Sequence, residues 1–115
     1  MLPGRIGFTP RSSCMPAGVP GFLTYPVRPV YFLQTPKEVW IICSGDEQVR
    51  RVYLGVPHSD NPKSSWYGES IGHYEGDALV VDTIGTNDKT FLDNYRTPHT
   101  QNLHVIERWK MIEWR

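Results

Sequence analysis

The sequence predicts a small, mainly β domain: an antiparallel meander of about six strands forming a small barrel or strongly curved sheet, with at most one short helix. Three observations carry this expectation. From residue 30 onward, short segments rich in β-branched and aromatic residues alternate with turn signals. Residues 1–29 hold six prolines and four glycines, a density that forbids helix and interrupts strand ladders. At 115 residues the chain has the size of one domain and leaves no room for a second.

Taken in order, residues 1–29 form an irregular Pro/Gly-rich arm and residues 30–115 a single β domain. The apolar residues Phe8, Met15, Val19, Phe22, Leu23 and Tyr25 favour an arm docked on the domain or on a neighbouring subunit over a free one. Strands are expected at 30–34, 38–44, 48–54, 67–74, 78–84 and 103–113, separated by "TPK", "SGDE", the long loop "GVPHSDNPKSS" and "EGD". The longest gap, "GTNDKTFLDNYRTPHTQN", offers "DKTFLDNY" as one helical turn or a short helix. A meander of this size has edges and a face to cover. Barrel closure is one solution and association with a sister subunit is another, so a homo-oligomer is expected.

Charge and composition exclude several classes. Twelve Lys+Arg against twelve Asp+Glu give no field that gathers nucleic acid or an anionic membrane. No apolar run approaches the roughly 20 residues of a membrane span, and "MLPGRIGFTP" lacks the apolar centre of a signal peptide. The expectation is a soluble cytoplasmic protein with neither nucleic-acid nor membrane partners. Cys14 and Cys43 are too few and too far apart for a disulfide scaffold or a CxxC clip, and Cys43 in "VWIICSG" reads as a buried small hydrophobe.

Strand alternation sorts the segment "WYGESIGHYEGDALVVDTIG" into faces. Trp66, Gly68, Ser70, Gly72 and Tyr74 share one face, where the two glycines leave space for a ring, a bend or a ligand against the backbone. Gly76 reads as the left-handed residue of a bulged three-residue hairpin loop, which makes Glu75 and Asp77 solvated turn acids. Asp82 shares a face with Val80 and Ile84, so it is either solvated or buried with a partner. In the last strand Glu107 falls on the apolar face with Leu103, Val105, Trp109 and Met111. An inward ion pair with Arg50 or Arg51 is favoured there over a catalytic acid.

Two kinds of site follow. A ligand pocket for a small apolar or aromatic molecule is placed at Trp66, Gly68, Ser70, Gly72 and Tyr74, with Trp109 and Arg51. Acid–base chemistry near neutral pH falls to His58, His99 or His104 paired with Asp82 or Glu107. No HxH, HExxH or cysteine pair marks a metal, and no P-loop or GxGxxG marks a cofactor. "GESIG" matches G-x-S-x-G in form, but Ser70 lies inside a strand rather than on a strand-to-helix turn, so no serine nucleophile is expected. Three functions stand together: a self-associating ligand-binding barrel, a His–carboxylate enzyme, or an assembly protein without a catalytic site.

The blocks "CMPAGVP", "YFLQTPKEVWII", "RRVYLGVPHSDNP", "SWYGESIGHYEGDALVVDTIG" and "TFLDNYRTPHTQNLHVIERW" resemble a family of uncharacterised bacterial proteins common in environmental genomes. The resemblance runs over residues 14–110. It implies a β domain and no established reaction or cofactor. Its recurring polar positions match Arg50, Arg51, His58, Asp60, Trp66, Ser70, Glu75, Asp77, Asp82, His99, His104, Glu107 and Arg108. Many members carry an export signal and a further C-terminal segment, whereas this compact chain resembles a version suited to a mobile, metagenomic gene cassette.

Overall fold

The computed structural model of the chain describes residues 9–24, 29–44 and 48–113. Six strands, β1 (Val30–Gln34), β2 (Glu38–Cys43), β3 (Gln48–Leu54), β4 (Glu69–Glu75), β5 (Ala78–Ile84) and β6 (Val105–Lys110), lie side by side in chain order in one sheet. The sheet curls into a half-barrel. Its two edge strands approach each other through the rings of Phe32 and Trp109, edge to face at 5.0 Å. Among the described residues the one helical element is a single 3-10 turn at Arg11–Ser13, and no helix is long and apolar enough to cross a membrane.

Local chemistry sets the connections. Between β1 and β2, the Thr35 hydroxyl accepts the Glu38 N–H at 2.9 Å while the Thr35 N–H donates to the Glu38 carbonyl, closing the turn around Pro36. Between β4 and β5, Glu75 pairs with Ala78, which leaves a tight two-residue turn of Gly76 and Asp77 in place of the expected three-residue loop. Gly76 has φ +61°, at the first central position, where a type II′ hairpin turn takes glycine.

The departure from a pure antiparallel meander is the pairing of β3 with β4, which is parallel. The connection over residues 55–68 is long enough to carry the chain back along the sheet before it enters β4 in the same direction as β3. That connection is fastened as it crosses: Ser65 forms a parallel bridge with Thr86, donating to the Gly85 carbonyl at 3.1 Å. Strand β4 begins at Glu69 rather than at 67 because Gly68 is left-handed, φ +63°, and a Cβ there would stand 2.3 Å from the Ile84 carbonyl oxygen.

Two further expectations are corrected. Residues 88–95 form no helix: the Asp93 carboxylate accepts the N–H groups of Tyr95 and Thr97 and the Thr97 hydroxyl, a local alternative that outcompetes a helical turn. Strand β6 ends at Lys110 because its partner β5 starts there, at Ala78.

The concave face is the core. Val39, Ile41, Cys43, Val52, Leu79 and Val81 point into it, and Ala17, Val19 and Phe22 of the N-terminal arm pack against them. Met15 of the arm is 47% exposed, while Phe8 and Tyr25 lie outside the described residues.

Candidate functional site

On the concave face, Arg50 is 2% exposed and reaches across three strands. Its Nε donates to Ser70 Oγ at 3.1 Å, and its Nη2 donates to Thr83 Oγ1 at 2.6 Å and to Glu107 Oε2 at 2.5 Å. Ser70 and Thr83 also share a hydrogen bond at 2.9 Å, and the guanidinium carbon lies 5.3 Å from the centre of the Phe22 ring. Glu107 is therefore the inward half of an ion pair, and no histidine stands beside it. Arg50 Nη1 and Glu107 Oε1 are buried and have no hydrogen-bond partner among the described residues.

The convex face carries a second cluster, assembled from three separate stretches of chain. Ile71 faces Asp82 across the β4–β5 hairpin and Glu69 faces Ile84, so Glu69 and Asp82 are diagonal neighbours on one face. The crossing loop lays His58 between them. Its Nδ1 is 3.1 Å from Glu69 Oε1 and its Nε2 is 3.1 Å from Asp82 Oδ1. Ser59 completes the grip on Glu69, donating from its N–H at 2.8 Å and its hydroxyl at 2.7 Å. From the approach to β6, His104 Nε2 meets the same Asp82 Oδ1 at 2.7 Å.

Protonation follows from these contacts. Burial pushes the Asp82 carboxyl up, but hydrogen bonds from His58 and His104 and their charge outweigh it and hold the group below its ordinary value. Glu69 is held below its ordinary value by the Ser59 hydroxyl and N–H first, with His58 adding against the opposing effect of burial. Both nitrogens of His58 are turned to carboxylates, and both donate only in the imidazolium form. His58 thus acts as a clamp. His104 differs: with Nε2–H given to Asp82, its Nδ1 has no protein partner among the described residues.

His104 also belongs to the wall of a cleft of about 530 Å³ whose polar lining is Asn61, Ser64, Thr86, Gln101, Asn102 and His104. The Thr86 hydroxyl is buried and has no hydrogen-bond partner among the described residues. Among the described residues no Asp, Glu, Lys or Arg lines the cleft, so it suits an uncharged, hydrogen-bonding molecule. Among the described residues no group of three or more His, Cys, Asp or Glu is arranged to hold a metal ion. His58 and His104 spend their Nε2 atoms on one carboxylate oxygen instead.

The remaining sequence candidates scatter. His99 is pinned in its own loop, Nε2 on the Thr90 hydroxyl at 2.8 Å and Nδ1 on the Thr100 carbonyl at 3.0 Å, and it meets neither Asp82 nor Glu107. Of the ligand residues, Tyr74 and Trp109 come together, with Phe32 and Leu79, around a recess of about 390 Å³ at the open end of the half-barrel. Trp66 is not among them, because it precedes β4 and lies toward the end of that strand opposite Tyr74. The space beside Gly72 is filled by Val52, whose Cγ1 would stand 2.8 Å from a Cβ there. Gly68, Ser70 and Arg51 line a third cleft, at the β3–β4 seam.

Glu69 and Ser59 are the residues that alternation alone missed. The hairpin register gives the signal for Glu69, since a turn at residues 76 and 77 places it diagonally from Asp82. Comparison of the chain with protein-family models, with curated proteins and with solved structures finds no match.

Proposed function

We propose that the chain is an acid–base enzyme acting on a small, uncharged polar substrate, with His104 as the base, Asp82 as its orienting carboxylate and the His58–Glu69 pair holding Asp82 in place. The observation that carries this reading is the Asp82–His104 contact at 2.7 Å, with His104 Nδ1 left for a substrate in the polar cleft. A hydrolytic cycle fits best: Nδ1 takes a proton from water as it adds to a carbonyl, then returns it to the leaving group. Turnover of a panel of small neutral esters and lactones tests it. His104→Ala is expected to lower kcat by about 10²–10⁴, the usual range for a general base. A panel with no turnover, or full activity in His104→Ala, overturns the reading.

A second reading keeps the recess at the open end as a site for a small apolar or aromatic ligand, supported by the apolar walls at Phe32, Tyr74, Leu79 and Trp109. Saturable quenching of tryptophan fluorescence by naphthalene-type probes, lost in Trp109→Phe, supports it. Absence of saturation removes it. Self-association is a further proposal, supported by Tyr31, Leu33, Val49 and Tyr53, all at least 40% exposed on the convex side of β1 and β3. Light scattering across a concentration series, with Leu33→Asp as the control, decides it.

A further inference from the structure

We infer that the β3–β4 seam is a binding site for a small-molecule oxyanion, a carboxylate or a phosphate, held by Arg50, Arg51 and Lys63. The two strands pair at three positions, Val52 with Ser70, Tyr53 with Ile71 and Leu54 with Gly72. Before those positions β3 runs from Gln48 to Arg51, while the chain leading into β4 turns at the left-handed Gly68. The divergence opens a cleft of about 540 Å³. Its walls carry Arg51 and Glu69 of the convex face and also Arg50 and Ser70 of the concave face, so the cleft enters the seam rather than lying on the surface.

The charges favour an anion. Among the described residues Arg51 and Lys63 line the cleft beside Arg50, whose charge Glu107 already balances, and the one carboxylate in the lining, Glu69, is committed to Ser59 and His58. The Arg51 guanidinium carbon lies 5.2 Å from the Trp40 ring, a stacking contact that orients the group without spending its N–H donors. Lys63 makes no ion pair among the described residues. Arg50 supplies the buried anchor: its Nε and Nη2 are engaged, while Nη1 is buried and has no partner among the described residues. An unpaired guanidinium N–H in a low-dielectric setting is costly, and an oxyanion oxygen is its strongest complement. The site is distinct from the His104 cleft and does not depend on the reading given to it.

The test is thermal unfolding of the full chain with inorganic phosphate in one arm and sodium succinate in the other, each against sodium chloride at equal ionic strength. A saturable rise in Tm in either arm supports the site, and the responding arm tells phosphate from carboxylate recognition. Amide shifts in the nitrogen–proton spectrum are expected at residues 48–53 and 59–70. Arg51→Ala and Lys63→Ala, both at exposed positions, are each expected to weaken binding about tenfold, the loss of one charge-assisted hydrogen bond. No saturable rise in either arm, a rise matched by chloride, shifts centred elsewhere, or unchanged binding in the double variant overturns the proposal. Equal weakening in His104→Ala places the anion in the other cleft and overturns it as well.

Discussion

Two acid-centred clusters lie back to back on this sheet, and they differ in what they pair with. Inside, Glu107 meets a guanidinium that is 2% exposed, flanked by two hydroxyls and a phenyl ring. Outside, Asp82 is 32% exposed and meets two imidazoles, one of which keeps a free ring nitrogen. A guanidinium stays charged at every physiological pH and fixes its partner as a structural ion, whereas an imidazole changes charge and hands protons on. Two carboxylates on adjacent strands thus differ in kind: Glu107 belongs to a fixed ion pair, and Asp82 is the one on which the proposed acid–base chemistry rests.

The strongest way to break that contrast is to remove Arg50. Arg50→Met strands the Glu107 carboxylate in the core and is expected to cost about 3–5 kcal/mol in urea unfolding. Adding Glu107→Leu should restore most of that loss, because the pair is replaced by apolar atoms rather than halved. The matching change outside, His104→Ala, is expected to move stability by less than about 1 kcal/mol. A cost below that for Arg50→Met as well erases the distinction.

An intermediate effect is expected at the seam. In Gly72→Ala the new methyl meets Val52 Cγ1 at 2.8 Å and the Val80 carbonyl oxygen at 3.1 Å, and overpacking of this kind costs about 1–3 kcal/mol. The imidazole proton signals of His58 and His104 should stay in place while those of Ser70 and Thr83 shift. Movement of the imidazole signals instead shows that the two clusters are coupled through the sheet.

The smallest effect is in acid. Asp82 and Glu69 both have folded-state values below their ordinary 3.8 and 4.5, so the stability they contribute is fully present above those ordinary values and is lost as pH falls through the depressed ones. Unfolding midpoints between pH 6 and pH 3 should therefore decline less steeply in Asp82→Asn than in the parent chain. An unchanged slope refutes the assignment.

Much of the fold was legible. The bounds of β1, β3 and β5 follow from β-branched runs between turn residues, and the inward Glu107 with its arginine follows from alternation alone. The parallel β3–β4 pairing was not, since nothing local says which way a loop over residues 55–68 runs along a sheet. The outer cluster was legible only as a set of residue types. His58 and His104 sit outside strands, where no periodicity fixes direction, so their meeting at Asp82 depends on the route of the crossing loop. Trp66 was misplaced because it precedes β4 and lies toward the end of that strand opposite Tyr74.

The parallel seam also divides the sheet into two runs of strands. Strands β1 to β3 and β4 to β6 are each an antiparallel run, and in the sheet ladder three residue pairs join the two. The concave core joins the runs as well, since Val39, Ile41, Cys43 and Val52 of the first pack in one cluster with Leu79 and Val81 of the second. Among the described residues only Arg50 sends a side chain from the first run onto all three strands of the second, so it works as a cross-brace over the seam.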